Sequence, residues 1–494
     1  MKKEMPLKLQ LFFFTIAISL ITYAFNLTNF ALSIDSEPIV SKNSYLELGR
    51  WGTNFIRYYV FDGAVIPYFT VFISLVMFSA SAVLMTDILR LRRLESILFC
   101  ALFVSFPQIA YQFIYYLQAD AVSLGFLLSA VFILLFVKII EGSNKLVSAG
   151  LFLLAALIMM FVISIYQALI FVPAVLYLVL VFRNTYLEGY TLTAEFKKAL
   201  LFGLLLLVSA GFYYISQKIL CPDVSQYLSS YANGASGNRF VNFYNIWIEN
   251  LWGDRFYGDK TFLVASLSAI CTLIFLFRKE RKMFFTRAVL IVLMLIAPFF
   301  ISLFITIGYH PARLYLASGI VYAYLIAQFF ASVKYRDLAV GFAGVIVLMN
   351  IYFITKLYVA HHGVQNHDLQ LASKIDNKIR EVYPEFEPRR DYVYFYGAVP
   401  DSDFNRIKIP ESDVFGGSFF QWDTGSNGRI ISYMRAVDVA NYKIIDSKDL
   451  FLKIRDSISD MPVWPKPGSV KQVNDVMIVK LGNVKGHALW VEEE

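Results

Sequence analysis

The chain has 494 residues, of which 58% are hydrophobic and only 16% charged, and its mean hydropathy is +0.58. That balance excludes a soluble globular domain and a disordered chain, and it marks a polytopic α-helical membrane protein. The net charge of +7 is not a nucleic-acid signature, because the basic residues gather in loops between apolar runs; the three cysteines, Cys100, Cys221 and Cys271, lie too far apart for a disulfide framework or a metal site.

Apolar runs near the ~20 residues needed to cross hydrocarbon fall at about 9–30, 65–86, 95–112, 121–139, 147–164, 167–183, 198–216, 261–277, 286–307, 314–332 and 338–358. This predicts eleven spans, or nine if the weakly separated neighbours at 112–121 and 164–167 merge. No A-x-A-like cleavage site follows the first run, so it reads as a retained helix rather than a removed signal peptide. Loop charge sets the orientation. Basic clusters at Lys2–Lys8, Arg90–Arg93, Lys138–Lys145, Arg183–Lys198, Arg278–Arg287 and Lys334–Arg336 place the N-terminus inside. The opposite loops carry a sparser set: Lys42, Arg50, Arg57, Lys218, Arg239, Arg255, Lys260 and Arg313.

An odd number of spans leaves the tail outside the cytoplasm. Its composition turns polar, with Pro384, Pro388, Pro400 and Pro410 as turn markers. The expected organisation is a transmembrane region over 1–360 and a small extracytoplasmic α+β domain over 361–494. Within the latter the pattern predicts a helix at 366–382, a strand at 391–396, a strand near 441–446, a helix at 447–459 and a strand near 472–481.

The residues able to carry chemistry fall on the outer side. Just past the first span comes Ile34-Asp35-Ser36-Glu37, and two carboxylates where a helix meets water do not serve its insertion. In an extended segment Asp35 and Glu37 would share a face; either is a candidate general base or a solvated loop acid. Arg50 and Trp51 follow, a cation beside an aromatic ring suited to an anionic, sugar-bearing lipid, although interfacial Trp is common in any membrane protein. Gln112 and Asp120 flank the next outer loop, and Asp120 is equally an N-cap. Gln167 sits at a corner between two spans, where it binds a hydroxyl or satisfies freed backbone groups. Arg239 lies in a long loop over 217–260 whose Tyr-, Asn- and Gly-rich stretch suits a lid over a substrate. Arg313 stands in a short outer hairpin and needs a partner: a phosphate gripped at two points, with His310 as a weaker donor, or Asp35 or Asp120. The inner loops hold no Walker-type loop and no G-x-G-x-x-G after a strand, so any chemistry is expected on the outer side, where an activated substrate must arrive lipid-linked.

Ile34-Asp35-Ser36-Glu37, Gly49-Arg50-Trp51, Gln112, Asp120 and the Tyr166-Gln167-Ala168 corner, in this order and topology, resemble the bacteriophage-type serotype-converting O-antigen glucosyltransferases of type II. Gly416-Gly417-Ser418 and Trp422 in the tail are similar to that family as well. The resemblance implies a GT-C type enzyme of the bacterial inner membrane. Such enzymes take glucose from undecaprenyl-phosphate-glucose on the periplasmic face and attach it to an O-antigen (lipopolysaccharide) sugar. It also implies a separate donor-lipid synthase and flippase as partners, and it maps the base onto Asp35, with the intervening Ser36 leaving Glu37 open.

The resulting expectation is an inverting transfer with Asp35 as base, Glu37 or Asp120 assisting, and Arg313 with Arg50 holding the lipid phosphate. No cofactor is required, since arginines stabilise a phosphate leaving group, though an acidic pair is able to hold a divalent cation. The tail and the 217–260 loop would grip the acceptor glycan. The rival from another class is a flippase for the same carrier lipid. That rival needs polar groups through the membrane's depth, whereas these spans keep their charges at the ends. A transferase or polymerase for a different sugar is the enzymatic alternative.

Overall fold

The computed structural model describes residues 6–36, 44–64, 66–222, 238–253, 255–279, 281–305, 310–404, 406–445 and 447–486. The chain forms two compact units: residues 1–28 with 42–356, and residues 29–41 with 357–494.

The first unit is helical. Its long elements are α1 (Leu7–Thr22, prolonged by Ala24–Thr28), α2 (Pro67–Ile88), α3 (Arg93–Val104), α4 (Pro107–Phe113), α5 (Ala119–Glu141), α6 (Lys145–Ile165) and α7 (Phe171–Asn184). After these come α8 (Leu192–Leu220), α9 (Arg239–Trp252), α10 (Lys260–Lys279), α11 (Phe284–Ile296), α12 (Ser318–Ser332) and α13 (Arg336–Val382), whose residues from 357 onward belong to the second unit. Among the described residues eight helices are long and apolar enough to cross a membrane, or nine if the bent pair α3–α4 counts as one; α1 and α12 are apolar but shorter. Every apolar run read from the sequence carries one of these helices.

Local chemistry sets the breaks. The 48° bend between α3 and α4 falls at Pro107, which lacks a donor and would clash with the preceding turn. There the Ser105 hydroxyl donates to the Ala101 carbonyl at 2.8 Å. Asn144 starts α6 by accepting from the backbone N–H groups of Leu146 (2.9 Å) and Val147 (3.3 Å). Thr191 does the same for α8 through Ala194. Between α1 and α2 a short helix, Trp51–Phe55, runs into a π-helical turn, Ile56–Val60. Such wide turns are rare and redirect side chains. Inside the bundle, Phe78 stacks on Phe103 at 4.6 Å and meets Phe113 and Phe126 edge-on. Dispersion contacts of this kind hold helices together where lipid is as apolar as the interface.

The second unit is α+β. A four-stranded sheet, in the order β2-β1-β4-β3, is built from β1 (Tyr392–Tyr396), β2 (Lys443–Ile444), β3 (Val470–Val473) and β4 (Val476–Lys480). Strand β1 is parallel to β2 and β4, while β3 and β4 form an antiparallel hairpin. Alternation divides the strands between two cores. Val393, Phe395, Met477 and Val479 face the Leu371, Ile375 and Ile379 stripe of α13 and the helix α14 (Asn427–Ala436). Tyr394, Val476 and Ile478 face Phe451, Ile454 and Ile458 of α15 (Lys448–Ser459). Leu32 and Ile34 belong to the first of these cores.

Three sequence expectations are adjusted. The helix expected at 366–382 is the end of the continuous α13, which begins at Arg336. The strand expected near 472–481 is a hairpin whose turn sits at Asn474-Asp475, with Asn474 at φ 53°, the backbone sign that two-residue hairpin loops require. Helix α14 was not expected, because Ser426-Asn427-Gly428 reads as a turn.

Candidate functional site

The six-residue stretch Tyr115 to Asp120, which connects α4 to the first turn of α5, gathers three arginines. Arg313 lies with its guanidinium carbon 4.6 Å from the centre of the Tyr115 ring and donates to the Tyr115 hydroxyl. Arg57 donates to the carbonyls of Leu117 (3.2 Å) and Tyr116 (3.4 Å) and reaches both Asp120 carboxylate oxygens, at 3.0 and 3.1 Å. Arg50 donates to Gln118 at 3.5 Å.

The π-helical turn explains how Arg57 reaches so far inward, since it turns the side chain off the regular helical row. The Arg57–Asp120 pair is almost wholly buried, with side-chain exposures of 4% and 2%. Asp120 also accepts from the Ala121 backbone N–H at 2.8 Å, the arrangement of an acid in a first helical turn. Its oxygens are therefore engaged by Arg57 and by its own helix. Among the described residues Asp120 pairs with Arg57 and not with Arg313, one of the alternatives read for that arginine, and the geometry supports a bracing role for this acid.

Arg50 joins a second group. It donates to Gln167 at 3.4 Å and lies over the Tyr166 ring at 4.6 Å. Gln167 in turn donates to the Leu48 carbonyl (3.0 Å) and the Tyr213 hydroxyl (3.1 Å), and Tyr213 donates to the Gly49 carbonyl (3.0 Å). Gln167 thus ties the Leu48–Arg50 backbone to α8, which is the backbone-satisfying alternative read from the sequence. Trp51 donates its indole N–H to Ser216 at 3.1 Å and meets Phe161 edge-on at 5.7 Å, so it is packed between helices.

Gln112 on α4 is fully buried, and neither of its amide atoms has a hydrogen-bond partner among the described residues. Such a group is costly unless something else pairs it. His310 is buried, and its carbonyl accepts from Arg255 at 3.3 Å; Arg255 also pairs with Glu249. Arg239 is the exposed first residue of α9. Residues 223–237 of the expected lid, with Tyr227, Tyr231, Asn233, Gly234 and Gly237, lie outside the described residues.

In the second unit Asp35 occupies a tight turn. Ser36 N–H donates to the Ser33 carbonyl at 3.0 Å, and the two hydroxyls lie 2.8 Å apart. Asp35 has φ 70°, so the segment is not extended as the sequence suggested, and a left-handed backbone at a non-glycine residue carries strain that neighbours must hold in place. Ile34, fully buried, pins the turn, while the Asp35 side chain is about half exposed. Its carboxylate accepts from Arg429 at 3.3 Å, and Arg429 also binds Asp423 at 2.9 Å. Glu37 lies outside the described residues. Among the described residues no group of three or more His, Cys, Asp or Glu is placed to hold a metal ion.

Sequence reasoning counted Arg57 among the outer charges without giving it a role. Its signal was its breach of the positive-inside trend, the same signal that singled out Arg313. Arg429 left no signal, because its partner Asp35 is almost four hundred positions away.

A comparison with curated proteins gives no match. The family model described as glucosyl transferase GtrII matches residues 24–331, which takes in Asp35, the π-helical turn with Arg57, the Tyr115–Asp120 connection and Arg313. The chain belongs to the GtrII glucosyl transferase family.

Proposed function

We propose that the protein transfers glucose from undecaprenyl-phosphate-glucose to a sugar of the O-antigen on the periplasmic face of the bacterial inner membrane, with inversion at the anomeric carbon. Membership of a glucosyl transferase family together with three arginines gathered on one six-residue connection is the observation that carries this reading. A sugar held through phosphate needs cations at the leaving oxygen, and guanidinium groups match phosphate geometry at two points. The topology adopted is the one the loop charges favour, with the N-terminus inside and the α+β unit outside.

In the proposed reaction the acceptor hydroxyl attacks the anomeric carbon as the bond from that carbon to the phosphate oxygen breaks. The hydroxyl proton passes to a carboxylate, assigned to Asp35 with Glu37 as the alternative, and undecaprenyl phosphate leaves with the bonding electron pair. Arg313 and Arg50 contact the phosphate. Arg57 and Asp120 brace the connection that carries Arg313's partner Tyr115, so they act on the chemistry through position. Gln112 supplies an unpaired amide to a sugar hydroxyl. A separate synthase and flippase would deliver the donor lipid.

The test is transfer of labelled glucose from the donor lipid to O-antigen by the purified protein in lipid vesicles. Label in the polysaccharide supports the reading. Movement of donor lipid across the bilayer with no label transferred would make the protein a transporter.

A further inference from the structure

The α+β unit contains a cleft of about 510 Å³ lined by Trp422, Gln421, Lys408, Asp401, Glu411 and Asp413, within the range of roughly 300–1,000 Å³ usual for ligand sites. Its polar groups form an ordered network. Gln421 donates to the Val399 carbonyl at 2.9 Å and to Asp401 at 3.1 Å. Lys408 donates to Gln421 and lies 3.6 Å from Asp401. The wall behind is fixed by buried Asp368, which accepts from the Ser418 hydroxyl at 2.7 Å and the Phe419 backbone N–H at 2.8 Å. Four residues in or beside the lining, Glu411, Asp413, Asp423 and Thr424, hold left-handed backbone angles between φ 48° and 62°. Strain of that kind persists only where surroundings impose it and gathers at working sites.

We propose that this cleft binds a neutral saccharide and is the acceptor subsite of the transfer proposed above, on which its acceptor role rests. A half-buried tryptophan offers a flat, electron-rich face to the C–H groups of a pyranose ring. Carboxylate and amide side chains beside it accept from and donate to adjacent hydroxyls. Three carboxylates against one lysine repel phosphate and uronate groups, so the cleft selects against the donor's phosphate and against acidic glycans.

The cleft also joins the proposed base within the same unit. A Cβ at Gly417 would stand 2.6 Å from the Ile34 side chain and 3.3 Å from the Trp422 ring, so this glycine is the thin partition between the Asp35 turn and the platform. On the other side Asp423, next in chain to Trp422, binds the Arg429 that holds Asp35. A base must lie within ~3 Å of the hydroxyl it deprotonates, and a platform whose chain neighbour Asp423 shares Arg429 with the base suits that need.

The experiment uses the full chain in lipid nanodiscs and immobilised fragments of bacterial O-polysaccharides, some neutral and some uronate-bearing. We expect binding to at least one neutral fragment and none to acidic ones, with neutral binding weakened tenfold or more in Trp422→Ala and in Gln421→Ala. Thermal unfolding confirms that each variant is folded, and exposed Glu411→Lys, which leaves the core alone, is expected to admit acidic fragments. Binding confined to acidic fragments, no binding by the native chain, or neutral binding unchanged in both variants would overturn the proposal. If neutral fragments bind through Trp422 but labelled glucose is never transferred, the reaction falls and the saccharide site stands. If transfer occurs and both variants leave the acceptor KM unchanged, the site falls and the reaction stands.

Discussion

Replacing Asp120 with Asn removes one charge from an almost fully buried ion pair and leaves Arg57 facing three carbonyls and a neutral amide. Removing one partner of such a pair costs about 3–5 kcal/mol, because the remaining charge is uncompensated. An asparagine retains one acceptor oxygen, which puts the expected loss near the lower figure. At roughly 2 °C per kcal/mol for a large chain, the apparent Tm in a fixed detergent falls by about 6 °C. Arg57→Gln is expected to cost as much, since it strands the Asp120 carboxylate. The double variant Arg57→Gln/Asp120→Asn removes both charges while keeping a donor for the carbonyls. It should be no less stable than either single, a coupling of at least about 3 kcal/mol in a double-mutant cycle. Thermal unfolding of the four proteins measures this. Additive losses would refute the brace, and Asp120→Asn with native stability but no transfer would return that acid to the chemistry.

Asp35→Asn is expected to lower transfer by about 10²–10⁴-fold, the usual contribution of a general base, with unchanged thermal unfolding because the side chain is about half exposed; a native rate would move the base to Glu37, which Glu37→Gln then tests. Arg313→Gln is expected to raise the donor-lipid KM by about 10- to 100-fold, from the ~1.5–3 kcal/mol carried by a charge-assisted hydrogen bond, with partial recovery in Arg313→Lys; an unchanged donor KM rules out a phosphate contact. Gln112→Met removes two buried, unpaired amide atoms and is expected to raise stability by about 1–2 kcal/mol while weakening transfer; full activity with higher stability would make Gln112 a structural residue only.

Apolar length located the membrane-length helices of the first unit, because a membrane imposes run lengths that composition reports directly, but it missed α9 (Arg239–Trp252), which lies in a stretch read as loop. The α+β tail was legible where alternation was strong, as at Tyr392–Tyr396, and not where a turn-like start hid a helix, as at Asn427–Ala436. Site residues were legible by type rather than by partner. Arg313 announced its need for a counterpart by sitting in an outer hairpin, yet Tyr115 as that counterpart required the fold. Asp120 suited both a cap and a site, and only the π-helical turn that brings Arg57 to it settles its surroundings. Asp35 read as an acid on an extended segment, because nothing local announces that Ile34 is buried in a core formed hundreds of positions away.

Glucose transfer from a polyprenyl-phosphate donor is the central claim, and a reconstituted reaction tests it most directly. Purified protein in vesicles receives undecaprenyl-phosphate-glucose labelled in the sugar, with unmodified O-antigen as acceptor and labelled nucleotide-glucose in a parallel reaction. The expected result is label in the polysaccharide from the lipid donor alone, with the anomeric configuration inverted. Label transferred from nucleotide-glucose, or retention of configuration, would contradict it.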